Sequence, residues 1–461
     1  MSDDFKEMKR ANLSLCMIVK NEADMLDDCL ASVAEIADQI VVVDTGSEDN
    51  TVEIAKQYKA EVYHHKWENN FARARNQSLK YATGDWILWM DADERLRPQS
   101  KSELVELLQP PEKPVAYKVQ IQNLQKDQKN YILSDGHRLF TNNKGIHFTG
   151  RIHEQISPSL KKLGGTIRDS NINFLHLGYS YTGAKEKQKN SRNRHLLKKM
   201  VREEPKNAYA HYTLGDFYAL NNQHQKAISH YQTAYKLDQL PSDMTASLLN
   251  VLGEEFLEIG EYQQAENCIK KSLDIINMQV GGYYLLYKLA EQRDQTSLAI
   301  KNLKKVLHNN RQIKKNGKKL SNDVVIEENK IFHTIGNLYY QTHDFELAYE
   351  YLQKAFNENR TNNNCIRKLF YLALKFGQEY RLQDLLDQLA IFTTEDIDFL
   401  NRIATYMIKN GYYEQALNIY QRLRQLKPDD IAALKRMAGL HAKIGNWSKA
   451  ESLVAKIQSI K

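Results

Sequence analysis

Two carboxylates one residue apart, Asp91 and Asp93, follow the apolar run Trp86-Ile-Leu-Trp-Met90 in the sequence Asp91-Ala92-Asp93-Glu94. At a strand end both side chains face a loop, and as hard oxygen ligands they suit Mg2+ or Mn2+. A cation held there would bridge a diphosphate and offset charge as a leaving group departs. Taken alone, such a pair also describes a solvated turn. Two further polar clusters end apolar runs in the same way: Val19-Lys20-Asn21-Glu22 and Asp44-Thr45-Gly46-Ser47. In a sheet of parallel strands, ligands bind beyond the carboxyl ends, where these clusters fall.

Asp44 closes the run Gln-Ile-Val-Val-Val and precedes a turn rich in Gly, Ser, Asp and Asn. Its carboxylate can accept hydrogen bonds from a uracil imide or from ribose hydroxyls. A plain helix cap is the alternative, which Ser47 or Asp49 would serve equally well. The turn lacks GxGxxG, which disfavours a dinucleotide fold.

The elements that must position these groups follow from the apolar pattern. Short continuous runs at 13–19, 39–44 and 86–90, with a piece at 61–64, predict strands buried on both faces. Helical spacing falls between them at 24–33, 51–58 and 71–81. This alternation predicts a parallel, doubly wound sheet with helices on both faces. From Pro110 to Phe174 the texture changes to shorter strand-like pieces, such as 116–121 and 138–140, expected to flank the sheet and close over one end. A basic helical stretch, 185–204, then links to a second domain.

Beyond Pro205 small residues recur in pairs of one common spacing: Gly215 and Ala227, Gly253 and Ala265, Gly336 and Ala348, Ala404 and Ala416, Ala438 and Ala450. Paired helices approach most closely there. The period is about 34 residues, the tetratricopeptide value. We count about seven units, two of them degenerate, near Tyr283 and Phe370, with an insertion at 311–323. Such units stack into a superhelix that binds peptide or protein segments. Tyr209, Tyr212, Tyr283, Tyr284, Tyr287, Tyr339 and Tyr340 either line that groove or pack hairpin against hairpin.

A net charge of +7, with both signs interspersed, is no nucleic-acid signature but suits an anionic substrate. Four cysteines without a CxxC pair point to free thiols in a reducing compartment. Met1 to Arg10 is not a signal peptide, and no apolar run reaches the roughly 20 residues that span a bilayer. A cytoplasmic protein is expected.

The runs IVKNE (18–22), VDTGSEDNT (43–51), WENNFARARN (67–76) and GDWILWMDADE (84–94) resemble family 2 glycosyltransferases of the GT-A fold. Gly150-Arg-Ile-His-Glu154 and Leu175-His-Leu-Gly-Tyr179 are similar to a subgroup with C-terminal tetratricopeptide repeats, which includes the S- and O-glycosyltransferases that modify bacteriocin peptides (glycocins). The resemblance implies an α/β GT-A domain over 12–184, a helical linker over 185–204 and an all-α repeat superhelix over 205–461. It implies that Val19, Asn21, Glu22, Asp44, Ser47, Arg75, Asp91 and Ala92 hold the nucleotide-sugar, with Asp44 near the uracil. Arg75 would contact phosphate or base, although an Arg paired to a carboxylate would look the same. Asp93 would ligate Mg2+ or Mn2+ directly, with Asp91 beside the ribose and metal and His176 completing the metal site.

Inversion needs one base to deprotonate the acceptor. Glu154, with His153 to orient it, is the first candidate, and Glu94 competes; for either, a salt-bridged structural carboxylate is the alternative. The implied reaction moves a hexose from a UDP-sugar, such as UDP-glucose, to Cys or Ser of a peptide docked by the repeats, in a monomer or homodimer. The rivals are transfer to a surface or lipid-linked glycan and a non-catalytic scaffold that only binds nucleotide-sugar.

Overall fold

Alternate residues of the first strand point to opposite faces, and both faces are apolar. In the computed structural model, which describes residues 10–124, 131–177, 184–316, 326–360, 362–377, 382–388 and 394–460, β1 (Leu13–Val19) sends Leu13, Leu15 and Met17 into one core and Cys16 into another. Each core needs its own layer of helices. On the first face lie α1 (Ala23–Val33), contributing Leu26, Cys29, Leu30 and Val33, and α4 (Lys101–Leu107), contributing Leu104. On the other lie α3 (Phe71–Tyr81), through Ala72, and α5 (Ser157–Lys162), through Leu160. Burial at both faces explains why the strand lacks polar alternation.

The remaining strands are β2 (Gln39–Asp44), β3 (Glu61–His64), β4 (Trp86–Trp89), β5 (Glu94–Leu96), β6 (Val115–Leu124), β7 (Tyr131–Thr141) and β8 (Thr166–His176), with α2 (Thr51–Gln57) between β2 and β3. They form one sheet in the order β3-β2-β1-β4-β7-β6-β8-β5. β3, β2, β1 and β4 pair in parallel, as do β6 and β8; β7 runs antiparallel to its neighbours β4 and β6, and β5 antiparallel to β8. The sheet is therefore mixed rather than wholly parallel. Nor do the later pieces flank it: β6, β7 and β8 span 10, 11 and 11 residues and are three of the strands in the 8-stranded sheet. Along β6, buried and half-buried residues alternate, as in a sheet with one wetter face. That alternation breaks the apolar runs and makes the strands look short in sequence.

After α6 (Ala184–Glu203) come seven helical hairpins: α7 (Ala208–Ala219) with α8 (His224–Leu237), α9 (Ser242–Glu258) with α10 (Tyr262–Ile275), α11 (Val280–Gln292) with α12 (Thr296–Asn316), α13 (Glu328–Gln341) with α14 (Phe345–Glu358), α15 (Asn363–Lys375) with α16 (Leu382–Gln388), α17 (Thr394–Lys409) with α18 (Tyr413–Leu426), and α19 (Ile431–Lys443) with α20 (Trp447–Ile460). The small residues sit where the helices of a hairpin touch: a Cβ on Gly215 would lie 2.5 Å from the Tyr231 ring, and one on Gly336 2.7 Å from Leu352.

Two compact units result. One runs to Asn277 and contains the sheet, α6 and the first two hairpins; the other begins at Met278 and contains the other five. In the first unit a shared core explains why the first hairpins stay with the sheet: Ile152 packs with Leu196 and Leu197 of α6 and Tyr212 of α7. The four cysteines are unpaired. Among the described residues no helix is long and apolar enough to cross a membrane.

Candidate active site at the carboxyl edge of the sheet

Register lines up the carboxyl ends of three strands. Val19 of β1 faces Asp44 of β2, and Asp44 faces His64 of β3. The loops beyond are stitched together. Asn21, at φ 55°, donates its backbone N–H to Ser47 Oγ at 3.0 Å, and its own Oδ1 accepts from Glu48 N at 2.8 Å. Glu22 N donates to Thr51 Oγ1 at 2.8 Å, and Thr45 N to the Val19 carbonyl at 3.0 Å. Gly46 turns at φ 106°, a conformation that excludes most side chains.

Asp44 is buried and accepts from Gly46 N (3.2 Å) and Ser47 N (3.1 Å), with His64 Nδ1 at 3.2 Å. Burial pushes its carboxyl up, but the hydrogen bonds from Ser47, His64 and Gly46 outweigh that and hold it below the usual carboxylate range. Asp44 thus shapes the turn and stays anionic. The helix-cap reading falls elsewhere: Asp49 accepts from Thr51 N at 3.1 Å and from Ala23 N at 3.2 Å.

Arg75 is not on the surface. It is buried to 5% exposure, with Nη2 2.6 Å from Asp91 Oδ1 and Nε 2.5 Å from Glu154 Oε1. Arg138 of β7, unremarked in the sequence, donates to Glu94 Oε1 at 2.5 Å and lies 3.7 Å from Asp91 Oδ2. Both guanidinium carbons sit over the Trp89 ring, at 3.9 and 3.4 Å from its centroid. Glu154, Arg75, Asp91, Arg138 and Glu94 therefore form one chain of alternating charge. Burial would raise the Asp91 carboxyl, yet Arg75 and Arg138 prevail and hold it well below the carboxylate range. For Glu94, 1% exposed and also accepting from Asp91 N, burial wins and raises it. Glu94, the competing candidate base, is thus sealed in its pair with Arg138. Arg75 Nη1 is buried with no hydrogen-bond partner.

Asp93 stands apart from this chain. Its Oδ2 lies 3.3 Å from His176 Nε2, while His176 Nδ1 lies 2.8 Å from Asn123 Oδ1. Register makes the meeting inevitable, because His176 at the end of β8 pairs with both Glu94 of β5 and Asn123 of β6. Burial lowers the His176 imidazole, and the Asp93 carboxylate more than reverses it, raising it above its ordinary value. Gly178 and Tyr179, in the same sequence motif, lie outside the described residues. Among the described residues no group of three or more His, Cys, Asp or Glu surrounds one point. Ala92 is buried under the loop, its carbonyl taken by Arg95 Nη1 at 2.8 Å.

The 150–154 segment is a joint as well as a site. Arg151 donates to the Asn69 carbonyl at 2.7 Å and pairs with Glu203 of α6; its carbonyl accepts from Phe71 N at 2.9 Å. Exposed His153 turns at φ 55°, and its carbonyl accepts from Tyr209 Oη of α7 at 3.3 Å. The turn aims Glu154 back at Arg75. Tyr209, one of the tyrosines expected either to line the repeat groove or to pack hairpin on hairpin, also reaches the sheet domain through this bond.

Residues 14–159 match the sequence profile of Glycosyl transferase family 2. This segment is a family 2 glycosyltransferase domain. Tetratricopeptide repeat profiles match 207–277, 330–362 and 407–461. A TPR repeat-containing protein of Synechococcus elongatus is 37% identical over 211 residues, 44% of this chain and 52% of that protein. The SPbeta prophage-derived glycosyltransferase SunS of Bacillus subtilis is 31% identical over 193 residues, 41% of this chain and 45% of SunS. An uncharacterized glycosyltransferase of Rickettsia bellii is 35% identical over 98 residues, 21% of this chain and 33% of the relative. The chain thus spans about half the length of the first two.

Proposed function

We propose that this chain is an inverting, metal-dependent glycosyltransferase that moves a hexose from a UDP-sugar to a Cys or Ser side chain of a peptide. The observation that carries the reading is the Asp93–His176 pair at the sheet edge, 3.3 Å apart. His176 Nδ1 faces an amide oxygen, which can only accept, so the ring proton belongs on Nδ1. Nε2 then turns a lone pair toward the Asp93 carboxylate, and two electron-rich atoms at that distance call for a proton or a cation. Mg2+ and Mn2+ fit: one carboxylate and one imidazole leave positions for water and substrate phosphate, the usual sharing of Mg2+ with a nucleotide. When bound, such an ion supplies charge to offset the diphosphate as it leaves.

The chain's own groups divide the remaining work. Asp44 remains anionic to receive uracil or ribose donors, and Asn21, Glu22 and Ser47 fix the loop that faces it, with Val19 and Ala92 as the floor. Asp91, paired to Arg75 and Arg138, orients the Asp93 loop instead of serving as the principal metal ligand. Glu154 gives one oxygen to Arg75; Oε2 makes no hydrogen bond to a described residue and is the atom proposed to take the acceptor's proton. His153 orients that loop. The repeats would present the peptide, and a cytoplasmic location fits the four unpaired thiols.

The test is a panel of UDP-sugars with Mg2+ or Mn2+ and candidate peptides, with masses recorded. A hexose increment on a peptide supports the proposal. Transfer only to lipid extracts, or tight UDP-sugar binding without transfer or hydrolysis, overturns it.

A further inference from the structure

The second compact unit contains a cavity of about 580 Å³ lined by Ser297, Ile300, Lys301, Lys304, Lys305 and His308 of α12, and Tyr339 of α13. The α12 residues fall at i, i+3, i+4, i+7, i+8 and i+11, one stripe of the helix. At about 1.5 Å per residue it runs about 16 Å. The opposite face of α12 is spoken for, because Ala299, Leu303 and Val306 are buried in the core of the unit. Ile300 is buried with them at the edge of the stripe, while Ser297, Lys301, Lys304, Lys305 and His308 are exposed.

Among the described residues no carboxylate lines the cavity, and no ion pair joins Lys301, Lys304 or Lys305 to another of them. Arg311, just beyond the stripe, is already neutralised by Glu328 at 2.8 Å. Lys304 is held in place: its Nζ donates to Tyr339 Oη at 3.1 Å and sits 5.6 Å from the ring centres of Tyr339 and Tyr351. That hydrogen bond, the largest influence on Lys304, raises its ammonium above its ordinary value. The site therefore presents ammonium groups, that of Lys304 held by Tyr339, over an apolar floor of Ile300, Tyr339 and lysine stems.

We propose that this groove is a docking site for an acidic peptide segment of a partner polypeptide. Its length matches about five residues of extended chain, which a compact anion would not need. Its described lining contains no Arg fork of the kind that grips phosphate in two places. Two or three Glu or Asp side chains on one edge of an extended peptide meet the ammonium groups while the backbone lies against Tyr339. A second copy of this chain is a poor occupant, since each carries a net charge of +7. The site lies within the repeats and needs neither donor sugar nor metal.

The experiment titrates the full chain, without nucleotide-sugar or metal, into fluorescein-labelled octaglutamate, octaglutamine and an octathymidylate oligonucleotide, and reads anisotropy. Octaglutamate is expected to bind and octaglutamine not. K301E with K305E should weaken octaglutamate about tenfold or more while leaving the thermal midpoint and UDP binding unchanged. Raising the ionic strength from about 0.1 M to about 1 M shortens the screening length from about 10 Å to about 3 Å and should weaken it as well. The proposal fails if octaglutamate binds no better than octaglutamine, if the double variant binds it equally, or if the oligonucleotide binds more tightly with the same dependence on Lys301 and Lys305. Because transfer is not read, failure here leaves the glycosyltransferase reading intact, and loss of transfer leaves this one intact.

Discussion

Arg75 Nη2 lies 2.6 Å from Asp91 Oδ1 while its Nε holds Glu154. One buried guanidinium thus ties the end of β4 to the loop that carries the proposed base. Removing it would leave the buried Glu154 carboxylate and the part-exposed Asp91 carboxylate without their shared cation. Breaking a fully buried pair from one side costs about 3–5 kcal/mol. Water at the 36% exposed Asp91 screens part of that, and Arg75→Ala should still lower the calorimetric midpoint of the sheet-bearing unit through the buried Glu154. Arg75→Lys should not restore it, because one ammonium cannot address two carboxylates with a planar fork. An unchanged midpoint for Arg75→Ala would show the network to be dispensable.

Much of this edge is legible in sequence because local rules govern it. Apolar runs mark β1, β2 and β4, and the polar residues that end them mark one edge, so Asn21, Asp44, Asp91 and Asp93 are found without coordinates. The allocation of partners is not local. Arg138 and Asn123 reach the site only through the antiparallel pairing of β7 and the parallel pairing of β6 with β8. Nothing in the spacing of the chain foretells those registers. Hence Asp91 and Asp93 look equivalent as a pair, whereas the fold commits Asp91 to arginines and leaves Asp93 to His176. The joint at Ile152 is hidden for the same reason: an isoleucine between two charged residues gives no periodic signal, yet it is 5% exposed against α6 and α7.

Asn123 offers a test of the proposed metal site without touching a ligand. Its Oδ1 fixes the His176 ring from the far side at 2.8 Å. Loss of such an outer partner typically costs about 10–100-fold in metal affinity, so Asn123→Ala should weaken Mn2+ binding by that factor. Asp93→Ala should abolish metal-dependent turnover altogether, with the circular dichroism of both variants unchanged. Calorimetric titration of Mn2+ in the presence of UDP reads the first effect. Wild-type affinity in Asn123→Ala would detach His176 from the metal.

In the first hairpin, Asp216 accepts from Tyr231 Oη at 2.7 Å. Burial, resisted by that hydrogen bond and reinforced by nearby Glu255, pushes its carboxyl from 3.8 up to about 6. His224 is already engaged with Glu255 at 3.0 Å. The folded state therefore holds the proton more tightly than the unfolded chain. Stability from this group is fully present below pH 3.8, declines as pH rises, and is gone above about 6. The full effect is of order 3 kcal/mol. Asp216→Asn keeps an acceptor for Tyr231 and removes the titration. It should raise the midpoint of unfolding at about pH 7.5 and bring no gain at about pH 4. A gain independent of pH would assign the effect to packing instead.

Gly215 tests the repeat geometry at its tightest point. A Cβ there would lie 2.5 Å from Tyr231 Cε1 and 2.6 Å from Cδ1. Tyr231 cannot swing away, because it is 1% exposed and its hydroxyl is tied to Asp216. In a mid-helix position alanine is otherwise the better residue, favoured by about 0.8–1.0 kcal/mol over glycine. The two effects oppose each other. Overpacking costs about 1–3 kcal/mol where neighbours are fixed, so Gly215→Ala should be net destabilising, read as a lower urea midpoint. Gly439→Ala is the control: it is also helical, but a Cβ there meets nothing within 4 Å, and only the propensity gain remains. The pair should move in opposite directions. If both substitutions stabilise, the close approach of α7 and α8 at Gly215 is not what demands the small residue.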